Sequence, residues 1–395
     1  MIKDSNIVLG VTGSIAAYKA VDIANKLTQD GANVDVVMTQ SAREFVTPLT
    51  FQTLTRRKVY TSLWDEGNEG VVHIDLAQKA DIVLIAPATA NIIAKLANGY
   101  ADDLLTDVVL ATRSPVVIAP AMNVNMYENA ITQENIQKLK ERGFIFIEPV
   151  EGRLACGVYG KGKLAETNHI LGIIRTVIGR SGDMAGKKVV ITAGGTREPI
   201  DPVRFISNRS SGKMGYALAE AARDRGALVT LITASTMDYP AGMDIIPVNT
   251  ADEMCAEVVK ACKNADALMM TAAVSDYKPS NVAKQKIKKS DQELDLHLSK
   301  NTDILSQVKE DMIKIGFAAE SNDIIQNAIE KLHKKELDLI VANDIMQDAW
   351  GFGSEYNKVT LIDGNEKINE LPIMTKRKVS DIICDWLVSN PKWTK

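Results

Sequence analysis

The chain has 395 residues, with 46 Lys and Arg against 50 Asp and Glu and a formal net charge of −4. That near balance argues against a general nucleic-acid binder, while 46% hydrophobic and 24% charged residues exclude a disordered, fibrous or small secreted scaffold. At about 100–200 residues per domain, the length suits two domains. The four cysteines, Cys156, Cys255, Cys262 and Cys384, show no CxxC spacing, so neither a disulfide framework nor a zinc ribbon is indicated. Residues 1–6 run straight into a strand-like stretch, without the basic and apolar regions of a signal peptide. With no run of about 18 apolar residues, a cytoplasmic protein without a membrane partner is expected.

The first apolar run, Asn6-Ile-Val-Leu-Gly-Val11, ends in a Thr-Gly-Ser turn, the entry to an α/β unit. Ala17, Val21, Ala24 and Leu27 then fall on one helical face. Strands are expected at 34–39, 81–87, 116–120 and 144–147. Small and polar residues replace the periodic pattern around 178–186, and a linker is expected at 179–186. A second entry follows at Lys187-Lys-Val-Val-Ile-Thr-Ala-Gly-Gly-Thr-Arg197, but its helix is delayed to about Lys213, where Met214, Leu218 and Ala221 keep helical spacing. Further strands are expected at 228–233, 245–248, 265–271, 337–342 and 358–362. Thr250-Ala-Asp-Glu253 is a capping box that opens a helix over 252–262. Continuous apolar strands between helices predict an α/β fold of two Rossmann-like, three-layer domains with mostly parallel sheets, at 1–178 and 187–395.

A dinucleotide site wants G-x-G-x-x-G after the first strand and an acid at the end of the second. The first half offers Gly10-x-x-Gly13-x-x-Ala16 and a second strand ending Met38-Thr39-Gln40-Ser41, without an acid. The second half offers Gly194-Gly195 and ends its second strand at Thr233-Ala-Ser235. Neither meets the fingerprint. Hydroxyls and N–H groups at a helix start still suit phosphate, so a mononucleotide or other monophosphate is preferred over NAD.

In the first half, Ala86-Pro-Ala-Thr-Ala-Asn91 closes one apolar strand and Ala119-Pro-Ala-Met-Asn123 the next, where open α/β sheets bind ligands. His73 lies in the apolar setting Val72-His-Ile-Asp75, and Cys156 in a glycine-punctuated loop, Arg153-Leu-Ala-Cys-Gly-Val-Tyr-Gly-Lys-Gly162, suited to a lid. Singly, each has a plain structural reading; Cys255 and Cys262, seven apart on one helix face, read as core. Taken together, Gly13-Ser-Ile15, His73, Pro87-Ala-Thr-Ala-Asn91, Pro120-Ala-Met-Asn123 and Ala155-Cys-Gly157 resemble the homo-oligomeric FMN-containing cysteine decarboxylases, flavodoxin-like in fold.

The resemblance implies decarboxylation of an amide-linked cysteine. Such a carboxylate has no electron sink until the thiol is oxidised to a thioaldehyde. Carbon dioxide then leaves to give an enethiolate, and the flavin takes a hydride first and returns it later. By resemblance, His73 is the base, Asn123 holds the carboxylate and Cys156 protonates the enethiolate. Gly13, Ser14, Ile15, Thr39, Ser41 and Thr89 are the candidates for the flavin phosphate and ribityl chain.

In the second half a long polar loop supplies Arg197, Arg204, Arg209 and Lys213, all able to hold phosphate or carboxylate. Basic runs follow at Lys284-Gln-Lys-Ile-Lys-Lys289 and Lys331-Leu-His-Lys-Lys335, whose plain reading is a solvated face. Glu198-Pro-Ile-Asp201, Ile206-Ser-Asn-Arg-Ser-Ser-Gly-Lys-Met-Gly215, Lys286-Ile-Lys-Lys289 and Gly316-Phe-Ala-Ala-Glu320 resemble phosphopantothenate–cysteine ligases. That resemblance implies CTP: the carboxylate attacks the α-phosphate, pyrophosphate leaves, and the cysteine amine displaces CMP from the acyl-cytidylate. Lys286, helped by Lys288 or Lys289, is the candidate for the transferring phosphate, and Asn208 for conversion of the acyl-cytidylate. Lys331 and Lys335, four apart on a helix, can reach one triphosphate. Ala272, Asn301, Thr302, Asp303, Ile304 and Phe317 are further nucleotide candidates, and Asp276 reads the nucleotide or holds Mg²⁺.

The whole chain looks like the bifunctional phosphopantothenoylcysteine decarboxylase/phosphopantothenate–cysteine ligases of coenzyme A synthesis. The resemblance implies FMN, CTP and Mg²⁺, the small-molecule substrates 4′-phosphopantothenate and cysteine, and a homo-oligomer. Two competitors are another FMN enzyme of the same fold, which the ligase-like half disfavours, and a binding flavoprotein, which should lack one of the catalytic residues.

Overall fold

The computed structural model describes residues 2–64, 71–155, 157–289, 294–320, 323–344 and 353–393, without the side chains of 319, 320 and 344. The chain divides into two compact units, Met1–Gly179 and Arg180–Lys395.

In the first unit, strands Asn6–Val11 (β1), Asn33–Met38 (β2), Val59–Tyr60 (β3), Ile82–Ala88 (β4), Val116–Pro120 (β5) and Ile145–Phe146 (β6) form a parallel sheet in the order β3-β2-β1-β4-β5-β6. A hairpin of Val150–Arg153 (β7) and Tyr159–Lys163 (β8) follows. The helices are Ala17–Gln29 (α1), Pro48–Thr55 (α2), Val72–Lys79 (α3), Ala90–Asn98 (α4), Leu104–Ala111 (α5), Val124–Glu128 (α6), Ala130–Glu141 (α7) and Thr167–Gly179 (α8). Alternation along β1 sends its side chains to both faces. Ile7, Leu9 and Val11 pack with Ile23 and Leu27 of α1 and Ile170 and Ile174 of α8. Val8 packs in the other layer with Ile93 of α4 and Leu105 of α5. Each fully buried leucine or isoleucine contributes roughly 1.5–3 kcal/mol, which is why the central strands read as unbroken apolar runs.

The second unit holds Lys188–Ala193 (β9), Arg197–Pro199 (β10), Phe205–Ser207 (β11), Leu228–Thr233 (β12), Asp244–Pro247 (β13), Ala267–Met270 (β14), Tyr277–Pro279 (β15), Leu298–Lys300 (β16), Ile313–Glu320 (β17), Leu339–Asp344 (β18), Tyr356–Asn357 (β19), Val359–Asp363 (β20), Ile368–Glu370 (β21) and Met374–Thr375 (β22). Its main sheet runs β13-β12-β9-β14-β17-β18-β20-β21, with β20 and β21 antiparallel. The pairs β10–β11, β15–β16 and β19–β22 are separate two-stranded ribbons. The helices are Lys213–Asp224 (α9), Ala251–Cys262 (α10), Ile304–Gln307 (α11), Ile324–Lys334 (α12) and Lys376–Ser389 (α13). Val189 and Ile191 pack with Leu218 of α9 and Ile383 of α13, while Val190 packs with Met254 and Val258 of α10.

Both sheets agree with the α/β architecture read from the sequence. The capping box forms: Thr250 Oγ1 accepts the Glu253 N–H at 3.2 Å, and Glu253 Oε2 accepts the Thr250 N–H at 3.4 Å. The segment 358–362 joins the edge of the parallel set by pairing antiparallel with β18, a direction that leaves no mark in a local apolar pattern. The linker region is not uniform: Met184 is fully buried in the second unit's core, and Asp183 pairs with Arg225.

Arg223 is only 1% exposed. Its Nε and Nη2 donate to Asp224 Oδ1 at 2.9 and 2.7 Å, and Arg377 of α13 donates to Asp224 Oδ2 at 2.7 Å. This network joins α9 to α13. Asp224→Ala would leave Arg223 buried without its carboxylate, a loss of about 3–5 kcal/mol. Leu27→Ala would open a cavity costing about 2–5 kcal/mol in the first unit. Urea titration with hydrogen exchange should show each variant lowering the midpoint of its own unit only. A common shift of both units would show that they unfold together.

Candidate active sites

In an open α/β sheet the ligand crevice lies beyond the carboxyl ends of the strands, where strand order turns back. In the first unit that place is between β1 and β4. Thr12, 2% exposed, follows β1. Its Oγ1 donates to the Pro87 carbonyl at 2.7 Å and accepts the Thr89 N–H at 3.2 Å. The Thr39 N–H reaches the Val11 carbonyl at 3.0 Å. Gly13 packs directly on Ser41: a Cβ at Gly13 would stand 2.4 Å from the Ser41 Cβ. Gly13, Ser14, Thr39, Ser41 and Thr89 are therefore gathered around the ends of β1, β2 and β4. Ser14 Oγ accepts the Ala16 N–H at 3.3 Å, and Thr89 caps α4 through the Ile92 N–H at 3.3 Å. Ile15 is exposed beside them. These backbone donors, hydroxyls and a position without a side chain fit a phosphate and a polyol chain.

The β5–α6 corner adjoins this group, since the Ala121 N–H donates to the Ala88 carbonyl at 2.9 Å. Asn123 caps α6, its Oδ1 accepting the Asn125 N–H at 2.8 Å. The β7–β8 hairpin is fastened to the same corner by a 3.0 Å bond from the Met122 N–H to the Gly162 carbonyl. A second tie is electrostatic. Glu148 accepts from the Tyr127 hydroxyl at 2.8 Å, from Lys140 at 3.0 Å and from Lys161 of β8 at 2.9 Å. Partial burial pushes the Glu148 carboxyl up, but Lys161, Lys140 and Tyr127 outweigh it and hold it at about 2. His73 comes from a separate element, the first turn of α3, and is half-buried. Cys156 lies outside the described residues.

The second unit repeats the arrangement between β9 and β14. Thr192, fully buried, accepts the N–H groups of Thr271 and Ala272, each at 3.1 Å. Gly194 has φ +84°, and a Cβ there would meet the Ser235 nitrogen at 2.5 Å. Asn208 Nδ2 lies 3.3 Å from the carbonyls of both Ala273 and Val274. Asn301 donates its side-chain amide to the Ser275 carbonyl and its backbone N–H to the Asp276 carbonyl, both at 2.8 Å. Asn208, Ala272, Asp276 and Asn301 thus meet at the end of β14. Buried Ser275 Oγ and Asn301 Oδ1 have no partner among the described residues, a polar demand that fits a nucleotide.

A second group gathers beside it. Lys331 of α12 donates to the Phe317 carbonyl of β17 at 3.3 Å, and Lys335 pairs with Asp303. Thr302 is exposed and Ile304 buried. Lys286 comes from a different stretch, after β15, and is exposed. Of the loop cations, Arg197 lies over the Phe205 ring at 5.5 Å, Arg204 sits 3.6 Å from Asp201, and Lys213 donates to the Gly353 carbonyl at 2.7 Å. Asp276 is exposed, and among the described residues no three His, Cys, Asp or Glu side chains form a metal-sized group. Mg²⁺ held largely by phosphates needs only one or two carboxylates, so Asp276 still suits that part. Sequence reasoning missed Thr12, Thr192 and Glu148, and it quoted Asp201 within a motif without giving it a part. The threonines leave one signal, a hydroxyl directly at the end of each unit's first apolar run.

Residues 1–179 match the Flavoprotein family, and residues 184–390 match the DNA/pantothenate metabolism flavoprotein C-terminal domain. The chain is 48% identical to the coenzyme A biosynthesis bifunctional protein CoaBC of Bacillus subtilis (strain 168), over 100% of this chain and 99% of that protein. It is 41% identical to the protein of the same name from Escherichia coli (strain K12), over 97% and 96%. A solved structure of a PPC decarboxylase mutant complexed with pantothenoylaminoethenethiol is 34% identical, covering 44% of this chain and 97% of its own, with a TM-score of 0.40. No helix among the described residues is long and apolar enough to cross a membrane.

Gly13→Ala should force the turn away from Ser41, and the variant should purify with much less flavin per chain, read from visible absorbance. Undiminished flavin would remove this turn from the site. Glu148 should titrate near 2 by NMR. Because its folded value is depressed, its contribution is fully present above the ordinary carboxylate range and is lost as pH falls toward 2. Half-exposure keeps that contribution small. A Glu148 midpoint in the ordinary carboxylate range would mean that the hairpin tie does not hold in solution.

Proposed function

The chain belongs to the family of coenzyme A biosynthesis bifunctional proteins, a decarboxylase joined to a ligase, and we propose how its residues divide that work. The second unit joins 4′-phosphopantothenate to cysteine, using CTP with Mg²⁺. The first unit, with FMN, converts the resulting 4′-phosphopantothenoylcysteine to 4′-phosphopantetheine. The boundary lies at 179–186, with the decarboxylase in 1–178 and the ligase in 187–395. What supports this reading is the pair of strand-order reversals: Gly13, Ser14, Thr39, Ser41 and Thr89 gather at β1/β4, and Asn208, Ala272, Asp276 and Asn301 at β9/β14.

In the first unit Gly13, Ser14, Thr39, Ser41 and Thr89 would hold the FMN phosphate and ribityl chain, with Ile15 beside them. Bound there, FMN supplies a reversible hydride acceptor, so the substrate thiol is oxidised before carbon dioxide leaves and reduced afterwards. His73 takes up the proton released from the substrate. Asn123 holds the carboxylate through its side-chain amide, at a corner fixed by the capping of α6. Cys156 returns a proton to the enethiolate carbon.

In the second unit the reactants are both anions, so positive charge must accompany their approach. Lys286 serves the transferring phosphate, and Lys331 and Lys335 serve the rest of the triphosphate. Ala272, Asn301, Thr302, Asp303, Ile304 and Phe317 surround the nucleotide. Asp276 binds the nucleotide or its Mg²⁺. Asn208 stands at the β14 end, where the acyl-cytidylate meets the cysteine amine. The enzyme works on small molecules as a cytoplasmic homo-oligomer.

With phosphopantothenate, cysteine, CTP and Mg²⁺, purified protein should release pyrophosphate and carbon dioxide. Chelation should stop pyrophosphate release while leaving decarboxylation of supplied 4′-phosphopantothenoylcysteine intact. Release of neither product would end this reading. Cys156→Ser should accumulate the oxidised enethiol product, and full conversion to 4′-phosphopantetheine would exclude the thiol as proton donor.

A further inference from the structure

Asp201 has no assigned part in either reaction, yet its side chain is completely buried. It sits in the turn between β10 and β11. Its Oδ1 accepts the backbone N–H groups of Val203 and Arg204, each at 2.8 Å. Its Oδ2 turns the other way and accepts the backbone N–H of Ile287 at 3.1 Å, across 86 positions of sequence. Arg204, whose guanidinium lies 3.6 Å from Asp201 Oδ2, donates to the Ile287 carbonyl at 3.1 Å. Both backbone polar groups of Ile287 therefore end on one ion pair. A further bond from the Ala283 N–H to the Ile200 carbonyl, 3.0 Å, fastens the start of the same stretch.

Ile287 directly follows Lys286. A lysine is a flexible point charge, and on a mobile backbone it would lose both backbone and rotamer freedom each time it met a phosphate. A stapled backbone has already given up the first part. Burial pushes the Asp201 carboxyl up, but the N–H groups of Val203, Ile287 and Arg204 outweigh it and hold it below the usual carboxylate range. The same three N–H groups that hold the turn and Ile287 therefore favour the charged form of the staple.

We propose that Asp201 is a positioning residue of the ligase reaction: by gripping the Ile287 backbone it presents Lys286 to the transferring phosphate. This rests on the assignment of Lys286 made above. Asp201→Asn separates the two jobs of the carboxylate. Its amide oxygen can still serve the turn, but an NH₂ in place of Oδ2 cannot accept from the Ile287 N–H. In the full-length enzyme, pyrophosphate release from CTP should fall roughly ten- to a hundred-fold in kcat, as a misplaced catalytic group does, with little change in the KM for phosphopantothenate. The Ile287 amide should exchange faster with solvent, and decarboxylation of supplied 4′-phosphopantothenoylcysteine should be unchanged.

The double variant Asp201→Asn with Lys286→Ala should be no slower than Lys286→Ala alone, because Asp201 acts through that lysine. Multiplying losses would show a merely structural role and overturn the proposal. So would a normal kcat in Asp201→Asn despite faster Ile287 exchange. If Lys286→Ala itself releases pyrophosphate at the parental rate, the assignment of Lys286 fails, whatever Asp201 does. Should Asp201→Asn fail to fold, Asp201→Ser, which keeps an acceptor for the turn but cannot reach Ile287, carries the same test.

Discussion

Each sheet depends on one buried hydroxyl at the place where its strand order reverses. Beyond that point neighbouring strands part, because the chain leaves them toward opposite faces, and their last backbone groups lose their sheet partners. A buried N–H or carbonyl without a partner is costly, so something must span the gap. Thr12 does this for β1 and β4, and Thr192 for β9 and β14. The side chain is short enough to stay within the sheet layer, and its β-branching suits the strand it ends. With the strand ends fastened, the loops that follow start from fixed positions. Gly13, Thr89, Ala272 and Asn208 take their places from that constraint.

The proposed binding of a triphosphate by a chain of net charge −4 would draw on local cations of the second unit. Several of its cations are already engaged with its own acids or carbonyls. Some of these pairs are buried and architectural, such as Arg223 with Asp224. Others are more exposed, such as Lys335 with Asp303 and Lys213 with Glu355. An exposed pair is worth only about 0–1 kcal/mol, so a triphosphate bound as proposed would take the lysine from its acid at small cost. Until then the local acid keeps the lysine in place and balances its charge.

Much of the fold was legible because its central strands are buried on both faces and one helix begins with a recognisable capping box. β1, β4 and β9 read as unbroken apolar runs, and the Thr250–Glu253 box marked the start of α10. β17 was seen only as a motif near its end, although it lies in the middle of the second sheet. Lys314 and Gly316 interrupt its apolar run, and only the fold shows Lys314 turning back to the Val308 carbonyl at 2.9 Å. The ribbons β10–β11 and β15–β16 were missed because three-residue strands carry too little periodicity. Of the candidate sites, the residues close to strand ends were legible, since topology places such ends at the crevice. His73 was noted, but its place on α3 was not. Glu148 was invisible because its partners lie on other elements, and Asp201 was read only as part of a motif because its bond to Ile287 spans 86 positions of sequence.

The boundary between the units has a further meaning. α8 closes the first unit's core at Gly179, and Met184 already belongs to the second. Only a few residues lie between two complete interiors. A break there would cut through none of the hydrophobic clusters found among the described residues. Among the described residues, the fused form therefore joins a decarboxylase and a ligase in one gene product without any hydrophobic cluster shared between the two units.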